Sequence, residues 1–136
     1  MPTSSPPANF SLLEETGAFL EHVGPIYRRG VGDEVSFALR VDERHLNLGG
    51  VAHGGLLATL VDFSLGRAIA AAGEDATPAA TVSLTTDFLG PAETGDWLIA
   101  HTQVERIGNR LAFADCSLTV EGREVVRGRA VFAVLS

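Results

Sequence analysis

The chemistry this sequence can offer is concentrated in one stretch, where Asn47, Gly50, His53, Gly54, Gly55 and Asp62 fall within sixteen residues. Two adjacent glycines follow a histidine where an apolar, helix-favouring run begins. The first turn of such a helix leaves backbone N–H groups unsatisfied, close to the positive end of the dipole. A turn of this kind can hold an oxyanion, and glycine lets a substrate carbonyl approach without a side chain in the way. Asp62 sits among Leu60, Val61, Phe63 and Leu65, where an ionised carboxylate is costly unless hydrogen-bonded or paired. Two readings account for it. It is a nucleophile or a general base that activates water, or it is an acid on a helix edge satisfied by solvent or a neighbouring strand.

The spacing constrains the first reading. Asp62 is eight residues beyond Gly54, about 12 Å along a helix axis at about 1.5 Å per residue. One reacting carbonyl cannot touch both groups. If both act on the same carbon, they come from two subunits whose helices lie antiparallel across a two-fold axis, so the sequence points to a homodimer with shared sites. His53 has no serine or cysteine nucleophile with an orienting acid at a recognisable spacing, and no second histidine at i+4 for a metal. It is read as the cap of the helix entry. Asn47 either orients a carbonyl or holds the turn before Gly49 and Gly50.

The elements that must position these groups follow from periodicity. Residues 1–9 are polar and proline-rich and are expected to be disordered, with residues 10–136 forming a single domain. Residues 10–23 predict one amphipathic helix, with Phe10, Leu13, Leu20 and Val23 inward, Leu12 and Phe19 on a second strip, and Ser11 as a cap near Glu14; Gly24 and Pro25 end it. Residues 33–41 alternate Val35, Phe37, Leu39 and Val41 against Ser36, Ala38 and Arg40, the pattern of a half-buried strand. After the long apolar helix and a turn at 73–79 come four strand-like runs joined by hairpins. In the last two, Ala112, Ala114, Cys116, Leu118 and Val120 share one face, as do Val126, Gly128, Ala130, Phe132 and Val134. This order predicts an α+β fold in which an antiparallel β-sheet wraps around one long central helix.

Composition excludes some functions. The net charge is −7, which disfavours a general nucleic-acid binder or an anionic-membrane binder. All ten basic residues are arginines, whose planar fork suits a local phosphate site even in an acidic protein. The lone Cys116 leaves no intramolecular disulfide and argues against a cysteine metal site, so no metal is expected. The start lacks a secretory pattern and the apolar run carries Asp62 and Arg67, which gives the expectation of a cytoplasmic soluble protein.

The joint pattern Asn47-x-x-Gly50-x-x-His53-Gly54-Gly55 with Asp62 nine residues after the histidine resembles the hotdog-fold acyl-CoA thioesterases of the PaaI (phenylacetate-pathway) type. The run Thr81-Val82-Ser83-Leu84 through Asp87-Phe88-Leu89-Gly90-Pro91-Ala92 is similar to the family's strand and turn after the helix, and the likeness covers residues 33–136. The resemblance implies hydrolysis of an aryl or short- to medium-chain acyl-CoA to free acid and CoA. In it, Asp62 attacks the thioester or activates water, and the Gly54 N–H polarises the carbonyl from the other subunit. Asn47 sits by the thioester or the attacking water, His53 and Gly55 shape the substrate loop, and Thr81, with Ser83 as the second candidate, matches the strand hydroxyl that holds the water. Asn109 and Arg110, in the hairpin between two strands, are candidates for the CoA phosphates. The resemblance also implies a homodimer, assembled further as a dimer of dimers, and no cofactor beyond the CoA of the substrate. The alternative function is a non-catalytic acyl-CoA-binding module of the same fold, for which a desolvated Asp62 would have no use.

Overall fold

Nineteen residues with scarcely a helix breaker among them form the central helix, α2 (Gly54–Ala72). In the computed structural model, which describes residues 5–31, 34–73 and 78–135, α2 is preceded by β1 (Ser11–Leu12), α1 (Ala18–Val23), β2 (Tyr27–Arg29) and β3 (Ser36–Arg40). It is followed by β4 (Ala79–Phe88), β5 (Trp97–Ile107), β6 (Leu111–Val120) and β7 (Arg123–Val134). Every pairing is antiparallel, and the sheet order is β1-β2-β3-β5-β6-β7-β4. The expected hotdog architecture is therefore present, with α2 held in the curve of one antiparallel sheet.

The inward residues of the last two strands are the ones their alternation selects. Ala112, Ala114, Leu118, Val126, Ala130 and Phe132 are buried against Leu57, Leu60, Val61 and Leu65 of α2. Small residues dominate because the helix lies close to the sheet. A Cβ added to Gly128 would come 2.6 Å from Val61 Cγ1, so glycine there sets the height of the helix one residue before Asp62. Although α2 is long and apolar enough to cross a bilayer, its buried strip is packed on the sheet as in the core helix of a globular domain. The sheet covers only one side of it. Ala58, Asp62, Gly66 and Ala70, spaced by four, stay partly exposed.

Several expectations are corrected. Residues 10–23 are not one helix: Ser11–Leu12 pairs with β2, and Gly17 at φ +91° separates that strand from the short α1. Ser11 therefore caps nothing, and Leu12 and Phe19 are 54% and 62% exposed. Of the N-terminal nine residues, 1–4 lie outside the described residues; from Ser5 the chain is placed, with Phe10 donating to the Pro7 carbonyl at 3.2 Å and buried. β3 is covered on both faces rather than half-buried. Tyr27 of β2 and Trp97 of β5 meet edge to face, ring centroids 5.5 Å apart, on the side of Ala38 and Arg40. Most of the 73–79 turn, at 74–77, lies outside the described residues, as does Asp33.

Candidate active site

The helix start is built by a loop that folds on itself. Leu46 and Ala52 form an isolated bridge, the Asn47 N–H donates to the Val51 carbonyl at 2.8 Å, and Gly50, at φ +84°, makes the turn between them. Asn47 Oδ1 accepts from the N–H groups of Gly49 (2.9 Å) and Val51 (3.3 Å). Two backbone donors identify that atom as the oxygen, so the Nδ2 hydrogens have no acceptor among the described residues. Asn47 thus holds its turn and still offers an exposed amide donor.

His53 is the N-cap of α2, its Nδ1 accepting the Gly55 N–H at 2.8 Å. The nitrogen that accepts this bond carries no proton, and the Gly55 N–H is spent on it. A Cβ at 55 would meet His53 Nδ1 at 3.0 Å, so any larger residue there would press on the capping ring. Gly54, one position earlier, keeps a first-turn N–H with no intrahelical acceptor and no partner among the described residues. On one flank of Gly54 stands the Phe88 ring, 3.5 Å from where a Cβ would be.

Two turns further on, the Thr81 hydroxyl donates to Asp62 Oδ1 at 2.6 Å. That short, charge-assisted bond orients the carboxylate and leaves Oδ2 as a free acceptor among the described residues. Thr81 reaches Asp62 because it pairs with Phe132, an inward position of β7. Ser83 does not. A bulge between Thr81 and Ser83 sets Ser83 opposite Val131, on the outer face of the sheet, while Leu84, Thr86 and Phe88 return inward opposite Ala130, Gly128 and Val126. Of the two hydroxyls, Thr81 is therefore the one that bonds Asp62 within the chain.

Gly54 meets the last residue of β4 and Asp62 bonds to its third, so one chain holds the two groups at opposite ends of its edge strand. Asn109 and Arg110 lie exposed in the β5–β6 hairpin, closed by a 2.8 Å bond from the Gly108 N–H to the Leu111 carbonyl. Register puts this hairpin at the sheet end where β4 begins, and among the described residues Asp62 takes its hydrogen bond from Thr81 and none from the hairpin. Cys116 is in the core, where burial pushes its thiol up to about 12. Among the described residues, no group of three or more His, Cys, Asp or Glu is gathered that could hold a metal ion.

The sequence reading missed a polar clamp just before the site. The Arg44 guanidinium, steadied by Asp42, donates to the carbonyls of His22, Val23 and Gly24 at the end of α1. His45, 5% exposed, accepts the Asp42 N–H on Nδ1 at 3.0 Å, so its Nε2 carries the hydrogen and donates to the Val23 carbonyl at 2.7 Å. The signal was present as Asp-x-x-His, a capping box around the short 3-10 turn Glu43–His45 with histidine in place of the usual glutamate.

Comparison with known proteins gives a consistent pattern. The profile of the thioesterase superfamily matches residues 49–127, more than half of the chain. The chain is 43% identical over 127 residues to a Pseudomonas aeruginosa protein provisionally named an esterase, covering 93% of this chain and 95% of that one. It is 33% identical over 93 residues to mouse acyl-coenzyme A thioesterase 13, covering 67% of this chain and 66% of the mouse protein. Among solved structures, the Escherichia coli PaaI protein of the phenylacetic acid degradation operon superposes with a TM-score of 0.80 at 23% identity, covering 88% of this chain and 86% of that one, a likeness of fold.

Proposed function

The chain belongs to the thioesterase superfamily and is a thioester hydrolase, and from that premise we propose that it cleaves acyl-CoA to a free acid and CoA at a site shared between two copies. The observation that carries this reading is the Thr81-held carboxylate of Asp62 at one end of β4, with the uncommitted Gly54 N–H at the other. The similarity to a relative named an acyl-coenzyme A thioesterase supports the substrate class.

β4 is a sheet edge whose Val82 and Phe88 are 61% and 52% exposed, with Leu89 beyond it at 54%. An unpaired edge of this kind is a template for another strand. Two β4 strands paired antiparallel about Thr85, with the extra residue of the bulge, Val82, left out of the register, would set Thr81 of one copy abreast of Phe88 of the other, both on the inward face. The Asp62 of one chain would thereby approach the Gly54 of its neighbour, and the uncovered flank of α2 would find a partner.

In such a site the thioester carbonyl accepts the Gly54 N–H, with the Asn47 amide as a second donor nearby. Asp62 Oδ2 takes a proton from a water molecule as the water oxygen adds to the carbonyl carbon. Negative charge gathers on the carbonyl oxygen, where the N–H and the helix dipole stabilise it. The carbonyl re-forms, the C–S bond breaks, and the Asp62 proton goes to the departing CoA thiolate. No step calls for a metal or a redox cofactor.

Thiol release over a series of acyl-CoAs tests this. Asp62→Ala and Asp62→Asn are expected to lose about two to four orders of magnitude in kcat. Variants as fast as the parent, or acyl-CoA that raises the melting temperature while staying uncleaved, would overturn it.

A further inference from the structure

Resting on the acyl-CoA reading above, we propose that the acyl group lies in the cleft between α1 and the first turns of α2, and that Phe19 sets the size of acyl group accepted. The cleft has a volume of about 460 Å³, with Phe19, Val23, Leu46 and Leu56 as its apolar walls and Thr59 beside them. His53 and Gly55, the two neighbours of Gly54, also line it. A carbonyl held at the Gly54 N–H therefore has its substituent at the mouth of this cleft. The other flank of the helix start is closed by the Phe88 ring.

The construction of α1 fits a wall rather than a packing element. It is six residues long, buries none of them fully, and leaves Phe19 62% exposed over the cleft. Leu20 and Val23 pack partly buried against the core, and carbonyl capture by Arg44 and His45 fixes the end of the helix. Those two residues directly precede the loop that carries Asn47, so the wall and the helix start are registered to each other through three successive turns of chain. A cavity of about 150 Å³ already accepts benzene, so the cleft has room for an aryl ring or a short to medium chain. Phe19 at its outer end limits anything longer. Phe10, the other aromatic of the N-terminal segment, is buried beneath the Arg29 guanidinium, 4.5 Å from its ring centroid, and takes no part.

The test is a kcat/KM profile over straight-chain acyl-CoAs of increasing length together with phenylacetyl-CoA, for the parent, Phe19→Ala, Phe19→Leu and Phe19→Trp. Melting temperatures check that each variant is folded. Each methylene that gains or loses a place in an apolar pocket is worth about fourfold in kcat/KM. Phe19→Ala is expected to move the optimum to longer chains, raising the ratio of long- to medium-chain kcat/KM by about tenfold or more. Phe19→Leu should shift it in the same direction by less, and Phe19→Trp should move it to shorter chains. A parent that hydrolyses acyl-CoA with a profile unchanged in all three folded variants would overturn the cleft as the acyl site while leaving the thioesterase reading intact. A parent that hydrolyses no acyl-CoA would remove the reading on which the proposal rests.

Discussion

Thr81 donates its hydroxyl hydrogen to Asp62 across 2.6 Å, joining the start of the edge strand to the middle of the central helix. A carboxylate with one oxygen tied by a hydroxyl loses its rotational freedom. The oxygen left over is aimed by the protein rather than by solvent.

Removing that bond should therefore slow the reaction without abolishing the fold. A hydrogen bond to a charged group is worth about 1.5–3 kcal/mol, about ten- to a hundredfold in rate. Thr81→Val, which keeps the shape, is expected to lose that much in kcat with little change in KM, and Thr81→Ser should recover most of it. Steady-state kinetics decide; a Thr81→Val enzyme with parental kcat would mean that the bond orients nothing used in the reaction.

For His53 the expected result follows from what its ring accepts. Nδ1 is committed to the Gly55 N–H as an N-cap. His53→Ala should cost about 0.5–2 kcal/mol of stability by losing the cap. Asn, a strong N-cap, should restore both stability and most of the activity. Denaturant midpoints alongside kcat measure this, and an Asn variant that is stable but slower by more than a hundredfold would reassign the imidazole to proton transfer.

How much was legible depended on the range of the interaction concerned. The inward faces of β6 and β7, the start of α2 at Gly54 and the capping role of His53 are written in spacing that a few consecutive residues carry, and the structure agrees with each. The separation of Gly54 from Asp62 follows from helix rise alone. Other features depend on neighbours distant in sequence. Ser11 and Leu12 fit a helical pattern, but pairing with Arg28 and Tyr27 overrides it. Ala38 and Arg40 look outward until Tyr27 and Trp97 cover them. The single extra residue in β4 reverses Ser83 with no local mark beyond a hydroxyl-rich run. The Arg44 clamp links positions twenty or more residues apart and has no periodic signature.

The alkaline limb of stability should belong largely to Cys116. Burial raises its thiol from an ordinary value of 9.0 to about 12 in the folded chain. Folding therefore favours the protonated form, and its contribution is full below pH 9 and is lost as pH rises toward 12. Within that window the unfolded chain binds fewer protons than the folded one, and stability should fall by about 1.4 kcal/mol per pH unit. Urea midpoints between pH 8 and 10.5 are expected to decline more steeply for the parent than for Cys116→Ala, once the lower starting stability of the variant is subtracted. Equal slopes would place the alkaline loss elsewhere.

Gly54→Pro offers a direct test of the shared site, because proline is tolerated at the first helical position and lacks only the N–H in question. The backbone permits it: His53, the residue before, is already extended at ψ 137°, as a following proline requires, and the nearest contact to a Cβ at 54 is the Phe88 ring at 3.5 Å. Alone, Gly54→Pro should fold and lose about two to three orders of magnitude in kcat, the cost of removing an oxyanion donor. Asp62→Ala should fold and be similarly slow. Unfolded together and refolded as a mixture, the two chains form hybrid dimers in which one of the two sites has both an intact Asp62 and an intact Gly54 N–H. Random pairing in a two-fold dimer then restores about a quarter of the parental activity. If both groups served the same chain, no pairing could restore anything, and the mixture would stay as slow as its parts.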